Sequence, residues 1–334
     1  MTTATDVLLV RRPSGLPEET DFEFVDRVLP PPGEGEVEVE NLFISVDPYM
    51  RGRMTGVDSY VTGFVLGETM RGGAVGRVIR SNSPQLSPGD LVEHDNGWRT
   101  ATVLPAAECR LIRPAAGVSP SAYLGILGMP GWTAYVGLRE IASIRPGDEV
   151  FVSAASGAVG SAAGQIAAAL GASRVVGSAG TAAKARALVA EYGFDDAFDY
   201  HAGPISHSLR KVSPDGIDLY FDNVGGEHLH AAWEALRVGG RVAVCGAIAE
   251  YNSDAPQSLP NVSAAISRRL SLRGFIVYDH QAMRPAFEEE VGAWVAEGRL
   301  TFHETVFPGI EASIAAFRSL FTGEKIGKVV VATK

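Results

Sequence analysis

Cysteine is scarce in this chain: two residues, Cys109 and Cys245, stand far apart among 334. Two thiols rule out a disulfide framework and a four-cysteine zinc lobe, and they suit a reducing, cytoplasmic setting. Positive charge is short as well, with 29 Lys and Arg against 39 Asp and Glu and a net charge of −10. Such a surface is not built to follow a phosphate backbone or an anionic bilayer, so neither nucleic acid nor membrane is an expected partner. Long apolar runs are missing too. The uncharged stretch 150–173 is diluted by Ser153, Ser156, Ser161 and Gln165 and broken by Gly157 and Gly160. It reads as a strand, a turn and a helix, not a membrane span. Near the start, Val7-Leu8-Leu9-Val10 runs straight into Arg11-Arg12, too short and wrongly flanked for an export signal.

Several catalytic signatures are absent. His94, His201, His207, His280 and His303 show no ligand spacing, and His228 and His230, two apart on an expected helix, do not share a face. No metal is expected. There is no G-x-S-x-G run, and neither cysteine has a histidine close by in sequence to make it a nucleophile. What is present is ample core material, 46% hydrophobic residues, in a length that suits two domains.

Up to about residue 130 the chain is turn-rich, with short apolar segments at 35–39, 76–80, 91–93 and 109–112. Clusters such as Ser87-Pro-Gly-Asp90 and Arg145-Pro-Gly-Asp148 mark turns, because proline presets φ and glycine admits positive φ. From Glu149 the texture changes to apolar runs alternating with alanine-rich helical stretches, the pattern of β-α-β units around a parallel sheet. Strands are predicted at 150–153, 174–177, 196–200, 219–223, 241–246 and 272–277, and helices at 158–170, 182–192, 228–236 and 284–297. Gly171 and Gly193 are placed as helix stops. The fold class is α/β: a Rossmann-type doubly wound parallel sheet with a β-rich first domain. The closing segment adds a helix near 311–320 and a strand at 329–331.

The run Val152-Ser-Ala-Ala-Ser-Gly-Ala-Val-Gly160 lies between a predicted strand and a predicted helix. Gly157 and Gly160 let backbone N–H groups approach a pyrophosphate at the positive end of that helix, and Gly164 lets the helix press against the sheet. An ordinary tight turn is the alternative. A dinucleotide with a free 2′-hydroxyl wants a carboxylate after the second strand; here stand Gly177-Ser-Ala-Gly180, with Lys184 and Arg186 beyond. Small residues plus a cation favour NADP(H) over NAD, unless both cations only cover a solvated helix face.

The chain resembles the zinc-independent medium-chain dehydrogenases/reductases of the leukotriene B4 12-hydroxydehydrogenase, prostaglandin reductase and curcumin reductase group. The resemblance rests on Ser45-Val-Asp-Pro-Tyr-Met-Arg51, Gly128-Met-Pro-Gly-Trp-Thr-Ala-Tyr135, Ala155-Ser-Gly-Ala-Val-Gly160, Tyr220-Phe-Asp-Asn-Val-Gly-Gly226, Cys245-Gly-Ala-Ile-Ala-Glu-Tyr-Asn252 and Gly274-Phe-Ile-Val-Tyr278, in that order along nearly the whole chain. It implies a GroES-like domain over 1–125, a Rossmann NADP-binding domain over 126–299, and a segment, 300–334, returning to the first, with substrate in the cleft between the two.

Carried onto this sequence, the resemblance puts Gly157, Ala158, Val159 and Gly160 at the pyrophosphate, and Lys184 and Tyr200 around the 2′-phosphate. Asn223, the residues Cys245, Gly246, Ala247, Ile248 and Tyr251, and Phe275, Ile276 and Val277 line the nicotinamide half. The family's closing Gly-x-Asn-x-Gly-Lys reads Gly323-Glu-Lys-Ile-Gly-Lys328, so Lys325 takes the place of a cofactor-contacting Asn. Tyr49, Tyr60 and Tyr278 belong to the substrate pocket, with the loops 60–65 and 252–262. Where zinc alcohol dehydrogenases carry ligands, Asp47-Pro48-Tyr49 and Leu66-Gly67-Glu68 stand.

The expected reaction is NADPH-dependent hydride transfer to the β-carbon of an α,β-unsaturated ketone or aldehyde. An enone spreads charge over an enolate that a phenol can support, whereas an isolated carbonyl needs a stronger electrophile. Tyr251 is the first candidate for that donor and Tyr60 the second; each also reads as a packing or surface tyrosine. A quinone reductase and a non-catalytic NADPH-binding protein remain alternatives, and a homodimer is expected from the group's habit.

Overall fold

The computed structural model describes residues 1–251, 258, 260–323 and 325–334. Its strands begin with β1 (Thr3–Leu9), β2 (Phe22–Val28), β3 (Glu36–Ser45), β4 (Glu68–Thr69), β5 (Ala74–Ser81), β6 (Leu91–His94), β7 (Ala101–Pro105) and β8 (Arg110–Ile112). They continue with β9 (Glu149–Val152), β10 (Arg174–Ala179), β11 (Asp196–Asp199), β12 (Ile217–Asp222), β13 (Leu236–Val244), β14 (Ser271–Gly274), β15 (Glu304–Pro308) and β16 (Lys328–Ala332). The helices are α1 (Met50–Arg53), α2 (Met129–Val136), α3 (Ala158–Ala169), α4 (Ala182–Tyr192), α5 (Ile205–Val212), α6 (Gly226–Ala235), α7 (Ser263–Arg268), α8 (Arg284–Ala296) and α9 (Ser313–Thr322). Two compact units result, Met1–Leu124 with Glu304–Lys334, and Gly125–His303.

In the first unit, β2-β1-β4 form one small sheet, and a second runs β15-β16-β3-β5-β6-β8 with β7 paired to β3. Alternation along β3 sends Val37 and Val39 inward to meet Val78, Val92 and Leu104. A separate core gathers Trp98, stacked on Phe22 and edge-on to Phe317, with Met50 of α1 and Met54 just after it. The C-terminal strand β16 pairs antiparallel to β3, Val330 opposite Ser45.

At the start of β16, the Lys328 ammonium donates to Asp47 Oδ1 at 2.6 Å and to the Val46 carbonyl at 3.0 Å, with Ser45 Oγ on the other carboxylate oxygen. Lys328 and Asp47 are both buried. Removing either partner would leave an uncompensated buried charge, which is why such a pair acts as a structural peg. His94 is another buried polar group. Its Nδ1 accepts from the Asn96 amide at 3.1 Å, so the proton sits on Nε2. Burial, with Arg99 and Arg71 adding to it, pushes the imidazole pKa down to about 3, and His94 is a neutral core histidine.

The second unit is built on a six-stranded sheet in the order β11-β10-β9-β12-β13-β14, every adjacent pair parallel. This is the doubly wound α/β arrangement expected from the alternating pattern. Phe151, Val176, Phe198, Tyr220 and Val242 pack with Leu209 and Trp233 into one core. The order reverses between β9 and β12, and in such sheets the crevice at the carboxyl ends of those two strands is where ligands bind.

Three boundaries depart from the sequence pattern for visible reasons. β13 starts at Leu236, not 241, because Leu236 pairs with Ile217 before a register shift brings Arg241 opposite Leu219. It stops at Val244 because the amides of Cys245 and Gly246 both turn to the Asp222 carbonyl, at 2.8 and 3.1 Å. The strand expected at 272–277 ends at Gly274, and a 3-10 segment begins at Val277. No helix among the described residues is long and apolar enough to cross a membrane.

Candidate active site

The turn after β9 is tight. Ala154 sits at φ 46°, the Ala155 amide reaches Ser178 O at 2.9 Å, and Gly157 caps α3 in an extended conformation. At the start of α3 the Ser161 amide donates to Gly157 O at 2.9 Å. The amides of Ala158, Val159 and Gly160 precede it in the first turn, the positive end of the helix, where no intrahelical carbonyl is available to them. Gly160 has a stricter task. A Cβ there would lie 2.4 Å from Ala154 O and 2.8 Å from Ala155 Cα, both main chain that cannot step aside. Gly164 faces a ring, not the sheet: its Cβ would fall 2.0 Å from Phe194 Cζ. The helix is thus held down at its first two turns by missing side chains, which aims its N-terminus past the end of β9.

After β10 comes Gly180, where a Cβ would stand 3.3 Å from the Tyr200 hydroxyl. Thr181 caps α4, its Oγ1 accepting the Lys184 amide at 3.2 Å. Lys184 is buried and Arg186 is exposed, so the two cations differ in setting, and the solvated-face reading applies to Arg186. Burial, then the Asp199 charge, raises the Tyr200 pKa, which keeps its O–H as a donor. A small-residue turn, a buried lysine and a phenolic donor match the chemistry of a 2′-phosphate.

At the carboxyl end of β12, Asp222 is buried and its pKa is raised, chiefly by that burial. Its Oδ1 accepts from Tyr220 Oη at 2.6 Å and from the amides of Val224 and Gly225, each at 2.9 Å. Ser153 Oγ takes the Asn223 amide at 3.0 Å, and Asn223 Nδ2 donates to Ser153 O at 2.8 Å. That pair of bonds fixes the Asn223 side chain at the switch point and settles which end of the amide is which. Sequence reading named Asn223 but not Ser153, Tyr220 and Asp222 as its support; the i, i+2 spacing of Tyr220 and Asp222 is the signal that puts both on one strand face.

The segment after β13 folds back on this cluster. A Cβ on Gly246 would lie 3.4 Å from Asn223 O and 3.4 Å from the Tyr251 hydroxyl, so Tyr251 brings its O–H over Gly246 beside Asn223. Burial first, then Asp222, pushes the Cys245 thiol up to about 12. It is a neutral thiol and no nucleophile. Phe275 approaches Gly137, whose Cβ would be 3.0 Å from Phe275 Cζ, and Tyr278 stands edge-on to Trp132 at 5.8 Å.

The remaining candidates belong to the first unit. Tyr49 packs on the Trp98 core and Tyr60 is 61% exposed. Lys325 lies over the Phe307 ring, 4.9 Å from its centroid. Arg51 donates to Gly15 O at 2.9 Å and Pro13 O at 3.3 Å, pinning the N-terminal segment. Of the loop 252–262, residues 252–257 and 259 lie outside the described residues, as does Glu324. Among the described residues no group of three or more His, Cys, Asp or Glu side chains is placed to hold a metal ion.

A doubly wound sheet with a glycine-lined turn at its switch point, in a chain that also folds a β-rich unit, is the fold of dinucleotide-dependent oxidoreductases. Two family models match in succession, the N-terminal domain of oxidoreductase over residues 5–112 and the zinc-binding dehydrogenase over 158–293. The chain is 40% identical over 330 residues to the 2-alkenal reductase (NADP(+)-dependent) of Nicotiana tabacum, covering 97% of this chain and 96% of that protein. It is 37% identical over 332 residues to the NADPH-dependent curcumin reductase of Escherichia coli, covering 97% and 95%. The crystal structure of CurA in complex with NADPH from Vibrio vulnificus superposes with a TM-score of 0.93 at 34% identity, covering 99% of each chain. The chain belongs to the zinc-independent medium-chain dehydrogenases/reductases, in the group of alkenal, curcumin and prostaglandin reductases. Asp47, which stands where zinc alcohol dehydrogenases carry a ligand, is ion-paired with Lys328.

Proposed function

We propose that the protein is an NADPH-dependent reductase of the C=C bond in α,β-unsaturated ketones and aldehydes. The observation that carries this is end-to-end similarity to reductases of that class, together with a site whose donors are neutral O–H and N–H groups. Bound NADPH supplies a hydride for the β-carbon. The amides of Ala158, Val159 and Gly160 receive its pyrophosphate, and Lys184 with Tyr200 receives the 2′-phosphate. Asn223, held by Ser153, lines the nicotinamide half with Cys245, Gly246, Ala247, Ile248, Phe275, Ile276 and Val277.

Tyr251 donates its O–H to the carbonyl oxygen as charge moves onto it, and a solvent proton completes the α-carbon. A phenol suits an enolate, whose charge is shared between oxygen and carbon, better than a localised alkoxide. Tyr49, Tyr60 and Tyr278 contribute to the substrate pocket, and Lys325 is a further cofactor contact. We assign a homodimer: β14 has β13 as its one neighbour in the sheet order, and Leu272 on it and Val262 and Ile266 before it are 43%, 65% and 80% exposed. Both cysteines are free, which supports a cytoplasmic setting.

The test is loss of reduced-nicotinamide absorbance with a panel of enones, alkenals, quinones and saturated ketones. Turnover of enones or alkenals with NADPH over NADH, and none with saturated ketones, is expected. Turnover of quinones alone would replace this reading by a quinone reductase. Tight NADPH binding with no turnover across the panel would leave a non-catalytic binding protein.

A further inference from the structure

A histidine that the assigned reaction does not use stands at the far end of the cofactor site. His201 follows Tyr200 just beyond β11, and its Nδ1 lies 3.0 Å from the Gly180 carbonyl oxygen. A carbonyl only accepts, so in the neutral ring the proton is on Nδ1 and Nε2 is the basic nitrogen. The ring packs on Tyr200, centroids 4.2 Å apart, and Tyr200 in turn stands edge-on to His228 at 5.0 Å. Gly180, Tyr200 and His201 therefore meet at the turn that leads into α4 and Lys184.

The charged and titratable groups around His201 come from three elements. Asp199 on β11 has Oδ1 3.7 Å from Nδ1 and also accepts the His201 amide at 2.9 Å. Tyr200 is a neutral phenol, and Lys184 is buried in the first turn of α4. On α6, His228 is buried; that burial, with the His201 charge adding to it, pushes its pKa down to about 4. His228 is therefore neutral at neutral pH and adds no charge there. Asp199, against His201, is a carboxylate near the place assigned to the 2′-phosphate, and it repels that group.

We propose that His201 is a specificity-determining residue for the 2′-phosphate, binding it as an imidazolium through Nε2–H and taking up its proton from solvent as the dinucleotide binds. The protonated ring offsets Asp199 and adds a second positive charge to that of Lys184, which couples NADP(H) affinity to pH in the physiological range. This inference rests on the NADP(H) reading above.

The test is calorimetry of NADP+ binding to the full-length protein at pH 7.5 in buffers of different ionisation enthalpy, with NAD+ as control, and affinities measured from pH 6.5 to 8.5. The wild type is expected to take up a fraction of a proton, and to lose about 5- to 10-fold more NADP+ affinity across that range than His201→Phe, which keeps the ring against Tyr200. His201→Lys is expected to bind with the weak pH dependence of a fixed charge. The 2′-phosphate's own titration is common to all three proteins and cancels in the comparison. Equal proton uptake in wild type and His201→Phe, with NADP+ still preferred over NAD+, overturns the role of His201 and leaves the cofactor reading standing. No preference for NADP+ over NAD+ in the wild type overturns both.

Discussion

Replacing Tyr251 by Phe is expected to lower kcat for an enone about 10²-fold while the Kd for NADPH stays within about threefold. The asymmetry follows from where the hydroxyl sits. Tyr251 Oη lies over Gly246 and beside Asn223, at the carboxyl ends of β12 and β13, and the role proposed for it is toward charge that develops on the substrate rather than on the cofactor. Removing one oxygen removes a donor whose bond strengthens only as the enolate forms, and a contact of that kind appears in kcat and not in ground-state binding. The ring remains to pack, so the loop keeps its shape. Unchanged kcat with tight NADPH binding would transfer the donor role to another group, Tyr60 being the next candidate.

Lys184→Ala is expected to raise the Kd for NADPH between about 30- and 150-fold, the equivalent of about 2–3 kcal/mol for a lost charge-assisted bond, and to leave the Kd for NADH within about threefold. Lys184 is buried in the first turn of α4, its amide capped by Thr181, while Arg186 two residues on is exposed. Alanine keeps the helix and the cap, since the cap uses the backbone amide. Fluorescence titration with the two reduced dinucleotides checks it. Equal weakening of both would mean that the lysine supports the fold of the site and not the phosphate.

Much of the architecture could be read from residue patterns because parallel strands buried on both faces announce themselves. Glu149–Val152 and Arg174–Ala179 are short apolar runs, and the alanine-rich segment between them, with Gly157 at its start, has no other economical reading than a helix across a sheet. Gly193, at φ 69°, closes α4 as its position suggested. Helix α5 escaped notice although Ile205, Leu209 and Val212 repeat at helical spacing, because its length of eight residues is too short for the pattern to stand out. The strand ends were misplaced where main chain turns to satisfy a neighbour, as Cys245 and Gly246 do at the Asp222 carbonyl.

The site was legible as residue types and not as partnerships. Glycines at 157, 160 and 164 stand out in sequence, yet only coordinates show that Gly160 yields to the Ala154 carbonyl and Gly164 to the Phe194 ring. Nothing in the spacing of Ser153 and Asn223 reveals that Asn223 donates two hydrogen bonds to Ser153, since seventy residues of chain separate them. Asp47 and Lys328 are further apart still, and their buried pairing follows from β16 lying antiparallel to β3.

The central claim is conjugate reduction, and the most direct measurement follows the label. NADPH deuterated at both nicotinamide C4 positions is supplied with an enone that the protein turns over, and the product is read by proton and deuterium NMR. The account predicts one deuterium on the former β-carbon, a solvent-derived proton on the α-carbon and an intact carbonyl. Deuterium on the carbonyl carbon of an allylic alcohol would contradict it.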